Sequence, residues 1–188
     1  MIDKTPTLPI IHDRRLRDPS KLFEVEQLDL EFSNGVKRTY ERMKTRGLGA
    51  VIIVPMLDDD TVLLVREYAA GLHHYEIGLP KGRLEANETV LEGAQRELKE
   101  EIGYGARDLR ELTRLSLAPG YMTHVTRIVL ARDLYPEKLP GDEPEELQVV
   151  PWSIHNLLAI TAREDCTEGR SIAAMYIARD YIAAEKAS

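Results

Sequence analysis

The stretch Pro80-Lys81-Gly82-Arg83-Leu84-Glu85-Ala86-Asn87-Glu88-Thr89-Val90-Leu91-Glu92-Gly93-Ala94-Gln95-Arg96-Glu97-Leu98-Lys99-Glu100-Glu101-Ile102-Gly103-Tyr104 decides the fold of this 188-residue chain. Thr89 and Glu92 have the spacing of a capping box ahead of an apolar repeat, and Gly103 marks the end of the helix they open. At about 100° per residue, Val90, Leu91, Ala94, Leu98 and Ile102 share one arc, and Glu97, Glu100 and Glu101 fall on the arc beside it. Like charges three and four apart cost a helix roughly 0.2–0.5 kcal/mol per pair, and Glu97 makes such pairs with Glu100 and Glu101. A hard divalent cation would remove that repulsion. Oxygen ligands suit magnesium, manganese or calcium, and the lack of Cys or His in the cluster argues against zinc. A solvated acidic face, with Arg96 and Lys99 as counter-charges, is the competing reading.

The full spacing decides between them. Gly82, five residues, Glu88, seven residues, then Arg96-Glu97, Leu98, Glu100-Glu101 and Gly103 resembles the Nudix box. Leu98 aside, the seven invariant-type positions at roughly 6–7% usage each put a chance match at about one in 10⁸ per starting point. Tyr104 departs from the pattern, which asks for Ile, Leu or Val; this touches packing behind the helix and leaves the carboxylates alone. The resemblance covers roughly residues 48–185. It implies an α/β fold, a Nudix-type α/β/α sandwich with a mixed sheet of five or six strands, and hydrolysis of a nucleoside diphosphate linked to another group. It also implies Mg²⁺, with Mn²⁺ as a substitute, held by Glu97, Glu100, Glu101 and the backbone carbonyl of Lys81. Gly82, Arg96 and Glu88 would support that site.

Composition agrees with one soluble domain of ordinary size: 43% of residues are hydrophobic and 30% charged, and no apolar run approaches a membrane span. Asp3, Lys4, Pro6, Pro9 and Asp13 break up the N-terminus, so it lacks the apolar core of a secretory signal. The single Cys166 cannot form an internal disulfide, and we read the chain as cytoplasmic. A net charge of −7 disfavours nucleic acid and anionic membrane as partners.

Residues 1–20, with Pro6, Pro9 and Pro19, read as an extended arm. Residues 21–46 read as an antiparallel β-ribbon turning at Asn34-Gly35, with a phase change near Glu26-Gln27 that suggests a bulge. Residues 47–188 form the main domain. Ala50–Met56 is apolar throughout, as a strand buried on both faces would be, and Asp58-Asp59-Asp60 is a turn into Thr61–Tyr68. His73 and His74 are neighbours on a strand and so cannot chelate one ion together. Leu109–Leu117 and Met122–Leu130 read as strands, Asp133–Leu147 as a long acidic loop, and Gln148–Trp152 as the last strand. Ser153 is placed as the cap of a short helix ending at Ile160, and Gly169–Ala184 as an amphipathic terminal helix.

The ribbon segment Leu30–Val36, Val65-Arg66-Glu67-Tyr68 and Gly141–Glu145 resemble the bacterial Nudix branch that acts on ADP compounds. Pro119 resembles the downstream proline of the ADP-ribose pyrophosphatase branch. The likeness implies substrates such as ADP-ribose, diadenosine polyphosphates and NADH, cleaved to release AMP. It further implies substrate contacts at Arg66, Glu76 and Pro119, a homodimer joined through the ribbon, and a general base at Glu143 or Glu145, with Glu100 and Glu101 also catalytic. Other Nudix substrates, such as a nucleoside triphosphate, sugar nucleotide or coenzyme, are the alternative, and behind them stands a non-catalytic nucleotide-binding regulator.

Overall fold

The computed structural model describes residues 10–17 and 24–187. Two compact units emerge: Met1–Arg46 with Ser116–His124, and Gly47–Leu115 with Val125–Ser188. The expected arm at residues 1–9 and 18–20, and the ribbon residues 21–23, lie outside the described residues.

The first unit is a three-stranded antiparallel sheet in the order β1 (Ile10–Arg17), β2 (Glu24–Glu31), β3 (Lys37–Lys44). Ile10–Arg17, expected within the extended arm, is a strand paired to β2, so the ribbon gains a third member. The turn at Asn34-Gly35 is present. Gly35 adopts φ 79°, and Val36 N–H donates to Asn34 Oδ1 at 3.1 Å. No bulge interrupts β2 against β3, whose register runs unbroken from Glu24↔Lys44 to Glu31↔Lys37. The phase change has another cause: Glu26 takes a buried position and is neutralised by Arg42 on the facing strand, at 2.6 Å. The register shift lies instead in β1, between Ile11 and Asp13. The Ser116–His124 turn joins this unit through Met43 N–H, which donates to Tyr121 O at 2.7 Å.

The second unit holds seven strands. A mixed sheet is ordered β7 (Lys81–Arg83), β4 (Ala50–Pro55), β9 (Val125–Pro136), β8 (Tyr104–Ser116), and an antiparallel sheet is ordered β10 (Gln148–Ser153), β5 (Thr61–Ala69), β6 (His74–Gly78). The single mixed sheet expected from the sequence is thus two sheets that share a middle layer. Every residue of β4 is buried, as its apolar run predicts. Ile52 and Val54 of β4, Leu64 of β5 and Ile128 of β9 pack with Met175 and Ala178 of the terminal helix. The alternate residues Val51, Ile53, Leu63 and Val129 pack with Ala94, Leu98 and Ile102 of the box helix. Period-two side chains on a strand covered from both sides produce this helix–sheet–helix sandwich.

Several positions differ from the sequence reading: β8 already begins at Tyr104 and β9 only at Val125. β9 runs through Asp133 to Pro136, so the acidic connection without regular structure is residues 137–147. The short helix α2 is Leu157–Thr161 with Asn156 at its N-cap, and Ser153 Oγ instead accepts His155 N–H in the preceding turn. The terminal helix α3 extends over Gly169–Lys186, with the Glu168 side chain capping it. Leu91, placed on the packing arc, is 39% exposed, while Val90 packs against the core and Gly93 and Ala94 are buried.

Candidate active site

The box helix begins as α1 (Val90–Glu97) with a complete capping box. Glu92 N–H donates to Thr89 Oγ1 at 3.3 Å, and Thr89 N–H donates to Glu92 Oε2 at 2.7 Å. From Leu98 to Ile102 it widens into a π-turn closed by Gly103, whose N–H donates to Leu98 O and whose φ of 75° suits glycine. This geometry sends Leu98 and Ile102 into the core and leaves Glu97 and Glu101 at its margin, 8% and 7% exposed. Glu100 is half-buried beside them.

Gly82 is required by Glu97. A Cβ built on Gly82 would stand 1.9 Å from Glu97 Oε1. Arg96 gathers the acidic residues: Nη1 donates to Glu97 Oε1 at 2.7 Å and to Glu100 Oε2 at 2.9 Å, and Nη2 donates to Glu88 Oε1 at 2.9 Å. Glu101 Oε2 accepts the N–H of Lys81 at 3.2 Å, and Lys81 Nζ pairs with Glu67. Burial pushes the Glu101 carboxyl up to about 8, with the Lys81 charge opposing and the Glu97 and Glu67 charges adding. Burial raises Glu97 as well, against the pull of Arg96.

Among the described residues, no three of His, Cys, Asp and Glu stand close enough together to enclose an ion as placed. The donor set nevertheless fits a hard divalent cation. Its side chains supply only oxygen, two of the carboxylates are buried, and the buried Glu101 is costly as an anion without added positive charge.

These carboxylates form one wall of a cleft of about 580 Å³, a volume suited to a small molecule. The opposite wall is the segment from Lys138 to Leu147, which brings Asp142, Glu143 and Glu145 to the same space. Burial, followed by the charges of Glu67 and Asp142, raises the Glu143 carboxyl. Glu145 is engaged differently: the Tyr75 hydroxyl donates to its Oε1 at 2.6 Å.

Residues 47–168 match the NUDIX domain model, and residues 9–42 match the NudE-type Nudix hydrolase N-terminal domain. The chain belongs to the Nudix hydrolase family. It is 48% identical to the ADP compounds hydrolase NudE of Escherichia coli (strain K12), across 87% of each chain. It is 26% identical to the ADP-ribose pyrophosphatase of Bacillus subtilis (strain 168), across 80% of this chain and 82% of that one. A crystal structure of ADP compounds hydrolase superposes with a TM-score of 0.88 at 45% identity, covering 97% of this chain and 98% of the other.

Arg66, Glu76 and Pro119, the remaining candidates of this Nudix chain, each have their own surroundings. Arg66, on β5, pairs with Asp165 at 2.8 Å, so its charge is already partnered. Glu76, on β6, is buried, accepts Thr167 N–H at 2.8 Å and contacts His74, in a second cleft of about 380 Å³ that also touches Glu67 and Lys81. Pro119 belongs to the first unit, in the exposed turn that bonds to β3. His73 and His74 have separate partners, Tyr68 and Glu76.

Sequence reading passed over Tyr75, Lys138 and the Lys81–Glu67 pair. No spacing rule could join residues 70 apart such as Tyr75 and Glu145. Only the alternation of β6 hinted that Tyr75 faces away from the buried Glu76.

Proposed function

We propose that this Nudix hydrolase cleaves the pyrophosphate bond of ADP-linked nucleotides, with ADP-ribose, diadenosine polyphosphates and NADH as the substrate class and AMP as a product. The observation that carries the reading is the single cleft walled by Glu97, Glu100 and Glu101 on one side and by the acidic loop on the other. The substrate class rests on the similarity to the Escherichia coli and Bacillus subtilis enzymes over most of the chain.

Glu97 and Glu101 would hold Mg²⁺, or Mn²⁺ in its place, with Glu100 and the Lys81 carbonyl as further ligands. When bound, the ion supplies positive charge to the diphosphate oxygens. The chain's own residues do the rest. Arg96 braces Glu97 and Glu100, and Gly82 leaves room for the Glu97 carboxylate. A carboxylate oxygen of Glu143 takes a proton from the water that attacks phosphorus, the anhydride P–O bond breaks, and the two phosphates separate. Its raised carboxyl pKa is the direction that a base working near neutrality needs.

We also read the enzyme as a cytoplasmic homodimer. Support for the dimer comes from the first unit, where Val36 and Tyr40 are exposed apolar side chains on the ribbon. Among the described residues, no helix is long and apolar enough to cross a membrane. Light scattering behind size exclusion reads the mass directly, and a monomer at micromolar concentration would sink the dimer.

Incubation with Mg²⁺ and ADP-ribose, diadenosine triphosphate, NADH or dGTP, followed by chromatography for AMP, tests the activity. AMP from the first three is the expected result. Turnover of dGTP alone, or of none, overturns the substrate class.

A further inference from the structure

We propose that Tyr75 is a positioning residue for hydrolysis: its hydroxyl latches Glu145 and thereby fixes the strap that carries Glu143 into the cleft. The inference rests on the reading of Glu143 as the base.

The near end of the strap is well anchored. Leu139 N–H donates to Lys99 O at 3.0 Å and Glu137 N–H donates to Gly103 O at 3.0 Å. Lys138 Nζ donates to Glu100 O at 2.9 Å, and Lys99 pairs with Glu137 at 2.9 Å. These bonds satisfy carbonyls that the end of the box helix would otherwise leave open. At the far end Gln148 enters β10 opposite Arg66.

Between these ends the strap is nearly free. Among the described residues, Tyr75 Oη to Glu145 Oε1 is the only hydrogen bond made by any residue from Pro140 to Glu146. Without it, nothing polar sets how far Asp142 and Glu143 reach towards Glu97. A misplacement of about 1 Å at a reacting group costs up to about 10²-fold, so the latch has leverage on the chemistry without touching it.

The post that carries the latch is itself held. Tyr75 stands opposite Tyr68 in the β5–β6 ladder, with ring centroids 5.8 Å apart in an edge arrangement. Tyr68 in turn hydrogen-bonds His73 Nδ1 at 2.6 Å. The same hairpin leads through Gly78 into Lys81 and Gly82, which face Glu101 and Glu97. The latch therefore ties the strap to the segment that shapes the other wall of the cleft.

Tyr75→Phe keeps the ring contact with Tyr68 and removes only the hydroxyl. On the substrate that the wild type turns over, kcat should fall about tenfold with KM within twofold and the thermal midpoint unchanged. Added to Glu145→Ala, the same change should cost nothing more. A second readout needs no substrate: cleavage after Glu145 or Glu146 by a glutamate-specific protease should be several-fold faster in Tyr75→Phe. An unchanged kcat, a raised KM with kcat kept, or losses that multiply in the double variant would overturn the latch. So would unchanged cleavage rates. Faster cleavage in a protein whose wild type hydrolyses no nucleotide would leave the latch standing and sink the substrate reading instead.

Discussion

The box helix and the acidic strap face one cleft but are held by opposite means. The helix carries its own instructions: a capping box within four residues, a terminal glycine, and an apolar face that buries Ala94, Leu98 and Ile102. The strap from residue 137 to 147 has no regular structure and depends on partners 34 to 70 positions away in other elements, the Tyr75 hydroxyl among them. The contrast teaches where precision comes from. In the mechanism proposed above, the packed helix would hold the ligands for positive charge and the tethered loop would deliver the group that meets the water.

The largest effect should come from the helix side. Glu101→Gln is expected to lose roughly 10³–10⁴-fold of Mg²⁺-dependent kcat, since it removes a proposed metal ligand while keeping the shape of the side chain. Circular dichroism should report an intact fold. Activity within tenfold of wild type would mean that the helix is not where charge is held.

On the strap side, Glu143→Gln should reduce kcat about 10²-fold at pH 8, and the loss should persist at higher pH because no carboxylate remains to take the proton. An unaltered kcat would move the base elsewhere on the strap. Gly82→Ala tests how finely the helix wall is fitted. A methyl group 1.9 Å from Glu97 Oε1 must displace that carboxylate, so Mg²⁺ affinity measured by titration calorimetry should weaken about tenfold. Unchanged affinity would show that Glu97 has room to spare.

The smallest expected effect lies outside both walls. Arg163 first, and Arg66 after it, hold the Asp165 carboxyl below the usual range, even though burial opposes them. A depressed folded value contributes stability that is present above the unfolded value of about 3.9 and fades as pH falls towards the folded one. Asp165→Asn should therefore lower the thermal midpoint by a constant amount above about pH 5, and the gap should shrink below about pH 4. A gap independent of pH would assign the loss to packing.

Legibility followed the same divide. Glu97 and Glu101 were readable because two carboxylates one turn apart fall on one face of any helix, and Gly82 because its distance from them is part of one motif. The widening of the last turn was not readable. Nothing in Leu98-Lys99-Glu100-Glu101-Ile102 distinguishes a π-turn from an α-turn until packing and the Gly103 N–H close it on Leu98 O. Arg66 shows the converse limit. The resemblance marks it as a substrate contact and names no partner, and the fold brings Asp165 to it across 99 residues. At Glu26 a charge at a buried position breaks the alternation and mimics a bulge, because the compensating Arg42 sits on another strand.

The sequence by itself determined the helix, its cap, its row of carboxylates and the glycine that accommodates them, because each depends on interactions within a few residues or on a motif of fixed spacing. Only the tertiary structure decided that the acidic strap faces those carboxylates, that Glu143 is raised by its surroundings while Glu145 is held by Tyr75, and that Arg66 is already paired. The reason is physical. Burial and charge neutralisation belong to the neighbours a side chain acquires in space, and a linear chain records those neighbours only where they are also near in sequence.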